Sequence, residues 1–313
     1  MSRHILVLGA DGYIGRRVMA GLAGSGWAAP VAAGRREVLS SPHERIRLDA
    51  TDQVALARAL AGVEGVVNCI AADGDTMIAA ARALFAAAEA TRPRIVHLSS
   101  MAVYGTQTGE IEETAPLVDD TGAYGSAKIE IERLAAGYGP VTVLRPGCVY
   151  GPDSPQWTTR IAGWLQARRL GDLGAAGDGI ANLVHVEDVV AAVLASLDKP
   201  RAEGQAYNLA MAGAPDWNGY LFRFAKALGA VPIKRIGNRA LKIETKFKAP
   251  PLKIAEILAR KAKLNISLPE PIPPSLLRLF RQDIRLVPTK AERDLGLAWT
   301  DLDQALAAIA ASL

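Results

Sequence analysis

Two side chains spaced four residues apart carry the clearest chemistry in this sequence. Tyr124 and Lys128 occupy positions i and i+4, which share one face of a helix. A nearby ammonium favours the phenolate, so we expect Lys128 to lower the pKa of Tyr124 from about 10 toward neutral pH. Such a phenol moves a proton to or from a hydroxyl group. Tyr-x-x-x-Lys is also common on helix surfaces, so this pair alone does not establish an active site.

A hydroxyl group at the end of a predicted strand is the second candidate. Ser100 follows the apolar run Arg94–Leu98. Ligands of open parallel sheets bind outside the carboxyl ends of the strands. We therefore expect Ser100 to bond the oxygen that reacts, the alternative being that it only caps a turn.

Three glycines form the third candidate. Gly9, Gly12 and Gly15 follow the apolar run Ile5–Leu8 with the spacing G-x-x-G-x-x-G. Glycine allows positive φ and close backbone approach, and the N–H groups of a following helix suit a pyrophosphate. The loop opens a βαβ pattern, so it predicts dinucleotide binding. The alternative is a tight turn without a ligand.

Short apolar runs alternate with helical periodicity along the first two thirds of the chain. This alternation predicts an α/β fold, a Rossmann-type doubly wound parallel sheet with helices on both faces. The predicted strands are Ile5–Leu8, Val31–Ala33, Arg45–Leu48, Gly65–Ile70, Arg94–Leu98, Val141–Leu144, Ala181–Val186 and Ala206–Leu209. The predicted helices are Arg16–Ala23, Gln53–Ala61, Thr76–Ala90, Tyr124–Ala136, Val189–Leu197, Tyr220–Leu228, Leu252–Lys261, Leu276–Phe280 and Thr300–Leu313. Arg145-Pro146 is expected to end the sixth strand.

Composition excludes several classes of protein. The chain has 313 residues, 50% of them hydrophobic, and a net charge of +4 that is spread rather than clustered. This pattern does not indicate a nucleic-acid partner, and no run of about 18 apolar residues predicts a membrane span. Cys69 and Cys148 are expected to be buried, reduced thiols without a disulfide or a metal cluster. The early first strand leaves no room for a signal peptide, so we expect a cytoplasmic protein.

Taken together, these elements resemble the short-chain dehydrogenase/reductase superfamily, in its extended, epimerase/dehydratase-like branch. The stretches that carry the resemblance are Gly9–Gly15, Ser99–Gly105, Tyr124–Lys128, Leu144–Pro152, Val184–Asp188 and Lys290–Leu297. The resemblance implies an NAD(P)-dependent enzyme and a homodimer through the helices Thr76–Ala90 and Tyr124–Ala136. It also implies that His185 is structural.

The resemblance assigns roles to the candidate residues. Tyr124 would be the acid/base, Lys128 would lower its pKa and bind the nicotinamide ribose, and Ser100 would orient the substrate oxygen. No metal is expected. The implied cofactor contacts are Gly9, Asp11, Gly12, Tyr13, Ile14, Gly15, Arg35, Arg36, Asp49, Ala50, Cys69, Ala71, Ala72, Tyr124, Lys128, Pro146, Gly147 and Val149.

The residues after the second strand favour NADP(H), with NAD(H) as the alternative. Arg35 and Arg36 stand where an NAD site usually has an acidic residue, and arginine suits a 2′-phosphate. Asp49 would accept from the adenine amine. In an equally ordinary arrangement, Thr51 or Asp52 caps the next helix.

Residues 1–152, completed by about 183–210, are expected to form the dinucleotide-binding Rossmann domain. A smaller, mostly helical substrate-binding subdomain would comprise 153–182 and 211–313. Its aromatic and basic residues indicate a small-molecule substrate that is lipophilic, sugar-like or anionic, with peripheral membrane contact as one option. Ordinary amphipathic helices explain the same composition. The residues in question include Trp157, Trp164, Trp217, Phe222, Lys246 and Lys248.

Departures from the branch narrow the chemistry. Met101 and Ala102 replace the acidic pair of sugar dehydratases, and Ala181 replaces an arginine usual in nucleotide-sugar epimerases. We therefore predict an NADPH-linked interconversion of a ketone and a secondary alcohol. The alternatives are a nucleotide-sugar epimerase with retained NAD and a non-catalytic NADP-binding sensor.

Overall fold

Seven parallel strands form the main sheet of the computed structural model. They are β1 Arg3–Leu8, β2 Ala28–Gly34, β3 Glu44–Arg47, β4 Gly65–Asn68, β5 Arg94–Leu98, β7 Val141–Pro146 and β10 Ala206–Leu209. The order across the sheet is β10-β7-β5-β4-β1-β2-β3, and the neighbours pair in parallel. The predicted doubly wound α/β fold is confirmed. The order reverses beside β1, where ligands of such sheets bind.

The structure describes residues 2–36, 43–237 and 271–313, together with residues 239, 241 and 243. The predicted helix Leu252–Lys261 lies outside these residues, as do Lys246 and Lys248. Four short strands lie outside the main sheet: β6 Gly109–Ile111, β8 Cys148–Tyr150, β9 Leu183–His185 and β11 Ile284–Leu286. The helices are α1 Tyr13–Gly24, α2 Gln53–Ala59, α3 Gly74–Ala88, α4 Ala123–Tyr138, α5 Arg160–Gln166, α6 Val186–Asp198, α7 Trp217–Ala227, α8 Pro274–Phe280, α9 Thr289–Leu295 and α10 Leu302–Ser312.

Both faces of the main sheet are buried, which explains the uninterrupted apolar runs of its strands. Val7 and Val67 point to one face, where α1 and α6 pack. Leu6 and Val66 point to the other, where α3 and α4 pack. The strands therefore present their carboxyl ends at one edge while their side chains are fixed on both faces.

Strand β7 does not end where the sequence predicted. Pro146 remains in the strand and pairs with Leu209 of β10, whereas the pairing of β7 with β5 ends at Leu144. The missing N–H of Pro146 therefore removes no ladder bond on the β5 side. Strand β4, in contrast, stops at Asn68 rather than at Ile70.

The chain divides into two compact units. The first contains Met1–Val149, Leu183–Ala212 and Leu286–Thr300, and the second contains Tyr150–Asn182, Gly213–Arg285 and Asp301–Leu313. Every predicted catalytic or cofactor residue lies in the first unit. The role of the second unit in substrate binding stays a prediction.

Aromatic residues form the core of the second unit. The ring of Trp217 is fully buried and lies 5.5 Å from Trp157, 6.0 Å from Tyr220 and 4.8 Å from Phe280, centroid to centroid. The Tyr220 hydroxyl donates to the Trp157 carbonyl at 2.6 Å. Trp217 therefore fills the core and the half-buried Trp157 packs against it, which favours the ordinary structural account of these two residues.

Three features that the sequence led us not to expect are a membrane-spanning helix, a metal site and a disulfide. Across 2–36, 43–237 and 271–313, no helix has the length and apolar character that crossing a membrane requires. In the same part of the chain no group of three or more His, Cys, Asp or Glu side chains is arranged to hold a metal ion. Both cysteines are free; Cys148 is buried, whereas Cys69 is only half-buried.

The turn from β1 to α1 depends on close backbone contact. Gly9 has a φ of +75°, a conformation that favours glycine. A Cβ added to Gly15 would lie 2.2 Å from the Gly9 carbonyl oxygen and 2.9 Å from the Ala10 Cα. Because both neighbours are backbone atoms, a larger residue at position 15 would displace the turn.

We expect Gly15→Ala to destabilise the protein by about 2 kcal/mol, through overpacking against this backbone. Gly24, the last residue of the same helix, has no atom within 4 Å of an added Cβ. Gly24→Ala is the matched control and should leave stability unchanged or raise it by about 0.5 kcal/mol. Urea denaturation followed by circular dichroism measures both. Equal stability of the two variants would show that the turn does not need Gly15.

Candidate active site

Helix α4 places Tyr124 and Lys128 on one face. The Nζ of Lys128 lies 5.8 Å from the centroid of the Tyr124 ring and donates to the Leu98 carbonyl at 2.6 Å. Leu98 is the last residue of β5, so this bond ties α4 to the carboxyl end of the strand. Tyr124 is 48% exposed as a whole residue, so part of its side chain is open to a ligand although the phenol is desolvated enough to shift its pKa.

Burial shifts both residues toward their neutral forms. Lys128 is only 3% exposed, and desolvation lowers its pKa from 10.5 to about 8. Desolvation raises the pKa of Tyr124, and a side-chain hydrogen bond with Ser100 lowers it by less. The expected lowering of the Tyr124 pKa by Lys128 is therefore wrong, because desolvation raises that pKa. The ammonium lies over the Tyr124 ring at 5.8 Å from its centroid, and its hydrogen bond goes to the Leu98 carbonyl.

Ser100 stands at the carboxyl end of β5 in an extended conformation. Its hydroxyl accepts from the Ala102 N–H at 3.2 Å and caps the short 3-10 helix Met101–Tyr104. It also interacts with the Tyr124 side chain. The capping role that the sequence left open is thus real, and it orients the hydroxyl beside the phenol.

A buried ion pair lies directly beneath these residues. The Arg145 guanidinium donates to both carboxylate oxygens of Glu132, with the shortest contact 2.6 Å from Nη2 to Oε2. The two side chains are 8% and 5% exposed. Ser99 donates to Glu132 Oε1 at 2.5 Å. One carboxylate therefore links α4, the end of β5 and the end of β7.

The remaining nitrogen of the Arg145 guanidinium, Nη1, also forms hydrogen bonds. Arg145 Nη1 donates to the Tyr104 hydroxyl at 2.8 Å and to the Glu113 carbonyl at 2.9 Å. Tyr104 donates to Asn208 Oδ1 at 2.6 Å, and burial raises its pKa to about 12. The network therefore contains a neutral phenol and a fully bonded ion pair.

Sequence reasoning did not find this network. Glu132 follows Lys128 at i+4, so Tyr124, Lys128 and Glu132 form a polar row on one helix face. That row was the available signal. The partner Arg145 comes from a strand, and no local spacing in the sequence connects it to α4.

The glycine loop presents the start of α1 to the carboxyl edge of the sheet. Gly12 caps α1 without a side-chain hydrogen bond, and the first turn holds no acidic residue. Ile14 packs against the core, and the Tyr13 ring lies under the Arg17 guanidinium. The N–H groups of a twelve-residue helix thus remain suited to an anion, so the loop fits a dinucleotide pyrophosphate.

The end of β2 carries basic residues. Arg35 and Arg36 follow Gly34 and are exposed. In the part of the chain that the structure describes, neither guanidinium forms a hydrogen bond or an ion pair. Arg35 lies close enough to Asp49 and Asp73 to lower the pKa of both, after the hydrogen bonds that each accepts from a threonine.

The loop after β3 is partly engaged in local structure. Asp49 accepts from the N–H of Thr51 at 3.0 Å and from its hydroxyl at 2.8 Å through one oxygen. Asp52 caps α2 by accepting from Val54 and Ala55, each at 3.0 Å. The Asp52 cap is thus present, and the second oxygen of Asp49 is the one suited to an adenine amine. Ala50 lies half-buried between them.

The remaining predicted contacts also follow strand ends at this edge. Cys69, half-buried after β4, donates its N–H to the Leu8 carbonyl at 2.9 Å, and burial raises the pKa of its thiol to about 12. Gly147 donates to the Leu209 carbonyl at 3.0 Å. Four flanking residues complete the set: Ala71 and Ala72 are exposed, and Pro146 and Val149 are buried.

His185 has a local structural role. Its Nδ1 accepts from the Glu187 N–H at 3.4 Å at the start of α6, and burial lowers its pKa. Ala181 and Asn182 are buried, and Asn182 Nδ2 donates to the Ile284 carbonyl at 2.6 Å. Neither side chain is positively charged, so this part of the chain lacks the arginine that is usual in nucleotide-sugar epimerases.

Comparison with known proteins decides the family. Residues 5–210 match the NAD dependent epimerase/dehydratase family. The chain belongs to that family. It is an NAD(P)-dependent enzyme of the short-chain dehydrogenase/reductase class, in the extended branch that the sequence resembled.

A curated protein is similar to part of this chain. Protein YeeZ of Escherichia coli K12 is 32% identical over 142 residues, which is 45% of this chain and 48% of YeeZ. The chain thus spans about half the length of the curated relatives it matches.

Two solved epimerase structures have the same fold as this chain. A Thermotoga maritima UDP-glucose 4-epimerase with UDP-glucose has a TM-score of 0.74 at 18% identity, covering 98% of this chain and 97% of that one. A Bacillus cereus UDP-glucuronic acid 4-epimerase with UDP-glucuronic acid and NAD has a TM-score of 0.73 at 18% identity, covering 98% of each chain.

We expect Arg145→Met to lower the free energy of unfolding by about 3–5 kcal/mol, because it leaves the Glu132 carboxylate buried without its counter-ion. Arg133→Met is the control, since Arg133 lies on the same helix as Glu132 but is exposed; it should change stability by less than about 0.5 kcal/mol. Urea denaturation measures both. A loss below about 1 kcal/mol for Arg145→Met would show that the pair does not hold the site together.

We expect the stability of the wild type relative to Lys128→Met to rise by about 3 kcal/mol between pH 7 and pH 11. Above its folded pKa of about 8, Lys128 loses a proton that the unfolded chain keeps until about pH 10.5. The unfolded state then binds more protons, so wild-type stability rises across this window. Lys226→Met, at an exposed lysine of α7, controls for loss of charge. A pH-independent difference would contradict the lowered pKa.

Proposed function

We propose that the chain transfers a hydride between NADP(H) and a carbon that carries a ketone or a secondary alcohol. The observation that carries this proposal is the grouping of Tyr124, Ser100 and Lys128 at the carboxyl end of β5. An exposed phenol, a neighbouring hydroxyl at the end of β5 and a buried amine on the same helix face as the phenol are suited to proton transfer at a substrate oxygen.

Each residue has a defined part in the proposed reduction. Tyr124 donates its phenolic proton to the substrate oxygen, and Ser100 holds that oxygen by a hydrogen bond. Desolvation raises the pKa of Tyr124, so the phenol carries the proton that this reduction requires. Lys128 is fixed by Leu98 and would meet the nicotinamide ribose. When bound, the nicotinamide supplies or accepts the hydride.

The preference for NADP(H) rests on the end of β2. Arg35 and Arg36 are exposed and suit a 2′-phosphate, and the strand ends in Gly34 rather than in an acid. The uncapped N-terminus of α1 would hold the pyrophosphate. Asp49 would take the adenine amine with its second oxygen.

A second candidate is epimerisation of a nucleotide sugar with a retained NAD. Membership of the NAD-dependent epimerase/dehydratase family favours it, and so do the UDP-sugar 4-epimerases among the structural neighbours. The same Tyr124 would then remove and return the hydroxyl proton. The buried Ala181, at the position of the usual diphosphate-binding arginine, argues for the reductase. An NADP-binding sensor would not need the Ser100, Tyr124 and Lys128 set.

One measurement separates the two enzymes. The purified protein is denatured, and the released nucleotide is identified and counted by chromatography. Little nucleotide, or a partial load of NADP(H), supports an exchanging cosubstrate and hence the reductase. About one NAD per chain would overturn the reductase and support the epimerase.

We expect Tyr124→Phe to lower turnover by at least about 100-fold while nucleotide affinity changes little, because the variant loses the proton donor and keeps the aromatic ring. Turnover is followed as NADPH oxidation with a panel of ketones and as epimerisation of UDP-glucose. Tyr138→Phe, on the same helix, removes a hydroxyl that donates to the Ala88 carbonyl at 3.5 Å and has no part in the candidate site, so this variant should keep full activity. Unchanged turnover in Tyr124→Phe would remove the assigned acid/base.

Other properties stay predictions of the sequence. These are a lipophilic, sugar-like or anionic substrate bound by the second unit, peripheral membrane contact, a homodimer through α3 and α4, and a cytoplasmic location. Each of these properties depends on a ligand, a second copy of the chain or a cellular compartment, whereas the structure describes contacts within one chain.

A further inference from the structure

A carboxylate of the glycine loop is paired with an arginine of the sheet. Arg45 of β3 donates from Nη1 to Asp11 Oδ1 at 2.8 Å and from Nη2 to Asp11 Oδ2 at 2.7 Å. This two-pronged geometry gives the strongest form of arginine–carboxylate contact. Arg45 is 13% exposed, whereas Asp11 is 48% exposed. One member of the pair is therefore held by the protein while the other faces solvent.

The same guanidinium also holds the chain after β2. Its Nε and Nη2 donate to the Arg36 carbonyl at 3.2 and 3.1 Å. Arg45 thus fixes the backbone that carries Arg35 and Arg36 to the glycine loop. The two exposed arginines and the paired acid are brought to one corner of the sheet.

The Asp11–Arg45 pair occupies the space that a side chain at position 34, the end of β2, would otherwise fill. A Cβ added to Gly34, the last residue of β2, would lie 2.9 Å from both Asp11 Oδ2 and Arg45 Nη2. An acid at the end of this strand is what selects the 2′-hydroxyl of NAD in Rossmann-type folds. In this chain an acid is present at that place, but it comes from the glycine loop and its charge is cancelled.

We propose that Asp11 is a masked selector of the cofactor: Arg45 neutralises it, so that Arg35 and Arg36 favour an adenosine 2′-phosphate. Without Arg45, the freed carboxylate would accept from a 2′-hydroxyl and repel a 2′-phosphate. This inference rests on the proposed use of NADP(H), and it adds a residue pair that sets the choice. The hydrogen bond from Arg45 lowers the pKa of Asp11 most, and Arg36 and Arg16 lower it further. The last two remain when Arg45 is replaced, so the acid stays charged when unmasked.

The test measures binding rather than turnover. Dissociation constants are determined by calorimetry for adenosine 2′,5′-bisphosphate and AMP, and for NADP⁺ and NAD⁺, with the wild type and four variants. The wild type should prefer the 2′-phosphate of each pair. In Arg45→Met the preference should shift toward the 2′-hydroxyl by about tenfold or more, as expected for one unscreened charge at contact distance.

Two variants separate masking from a structural role. Asp11→Asn/Arg45→Met removes both charges and should return the preference toward that of the wild type. Asp11→Asn alone should keep or increase the preference for the 2′-phosphate, and it tests the proposal even if Arg45→Met folds poorly. A structural role would weaken both members of each nucleotide pair equally, with no recovery in the double variant, and that result would overturn the masking.

Arg16→Met is the matched control for charge. Arg16 also acts on Asp11 through space but forms no hydrogen bond with it in the described chain, so its loss should leave the order of preference unchanged. A wild type that prefers AMP and NAD⁺ overturns the masking while hydride transfer stands. A wild type that binds none of the four nucleotides defeats the proposed function itself. An unshifted preference in Arg45→Met, with both nucleotides bound, defeats this inference alone.

Discussion

The shared carboxylate of Glu132 is the interaction on which the geometry of the site depends. Taking a carboxylate and a guanidinium out of water costs several kcal/mol for each ion, and it is tolerated only where every polar atom finds a partner. Glu132 meets this condition by binding Ser99 and Arg145, and Arg145 by binding Tyr104 and the Glu113 carbonyl. Such a network stabilises one arrangement strongly and leaves few others without an unpaired charge.

That arrangement joins the three segments that carry the chemistry. Glu132 belongs to the helix of Tyr124 and Lys128, Ser99 precedes Ser100, and Arg145 precedes Pro146. A shift of α4 by a fraction of a turn would break the bonds of Glu132 and of Lys128 together. The network therefore positions the phenol relative to the hydroxyl without a hydrogen bond to either, through the buried side chains of Glu132 and Arg145.

Elements with strong local patterns were predictable from the sequence. Strands β5 and β10 have the predicted bounds, because a short apolar run between breakers has few alternatives. Strand β7 was predicted too short because Pro146 is tolerated only through its register with β10. The three-residue strands β6, β8 and β11 were missed, since three residues carry no periodicity. The Glu132–Arg145 pair joins residues from a helix and a strand, and only tertiary structure brings them together.

The direction in which the Tyr124 pKa shifts also depends on tertiary contacts, so residue spacing could not predict it. Spacing places an ammonium one turn from the phenol, but it does not show which atom that ammonium binds. In the structure Lys128 is bonded to Leu98 and is itself desolvated, so burial acts on both groups and favours phenol over phenolate. The raised pKa makes Tyr124 a weaker acid than a free phenol. In this structure Lys128 therefore acts by fixing α4 to the end of β5, through its bond to the Leu98 carbonyl, rather than by acidifying the phenol.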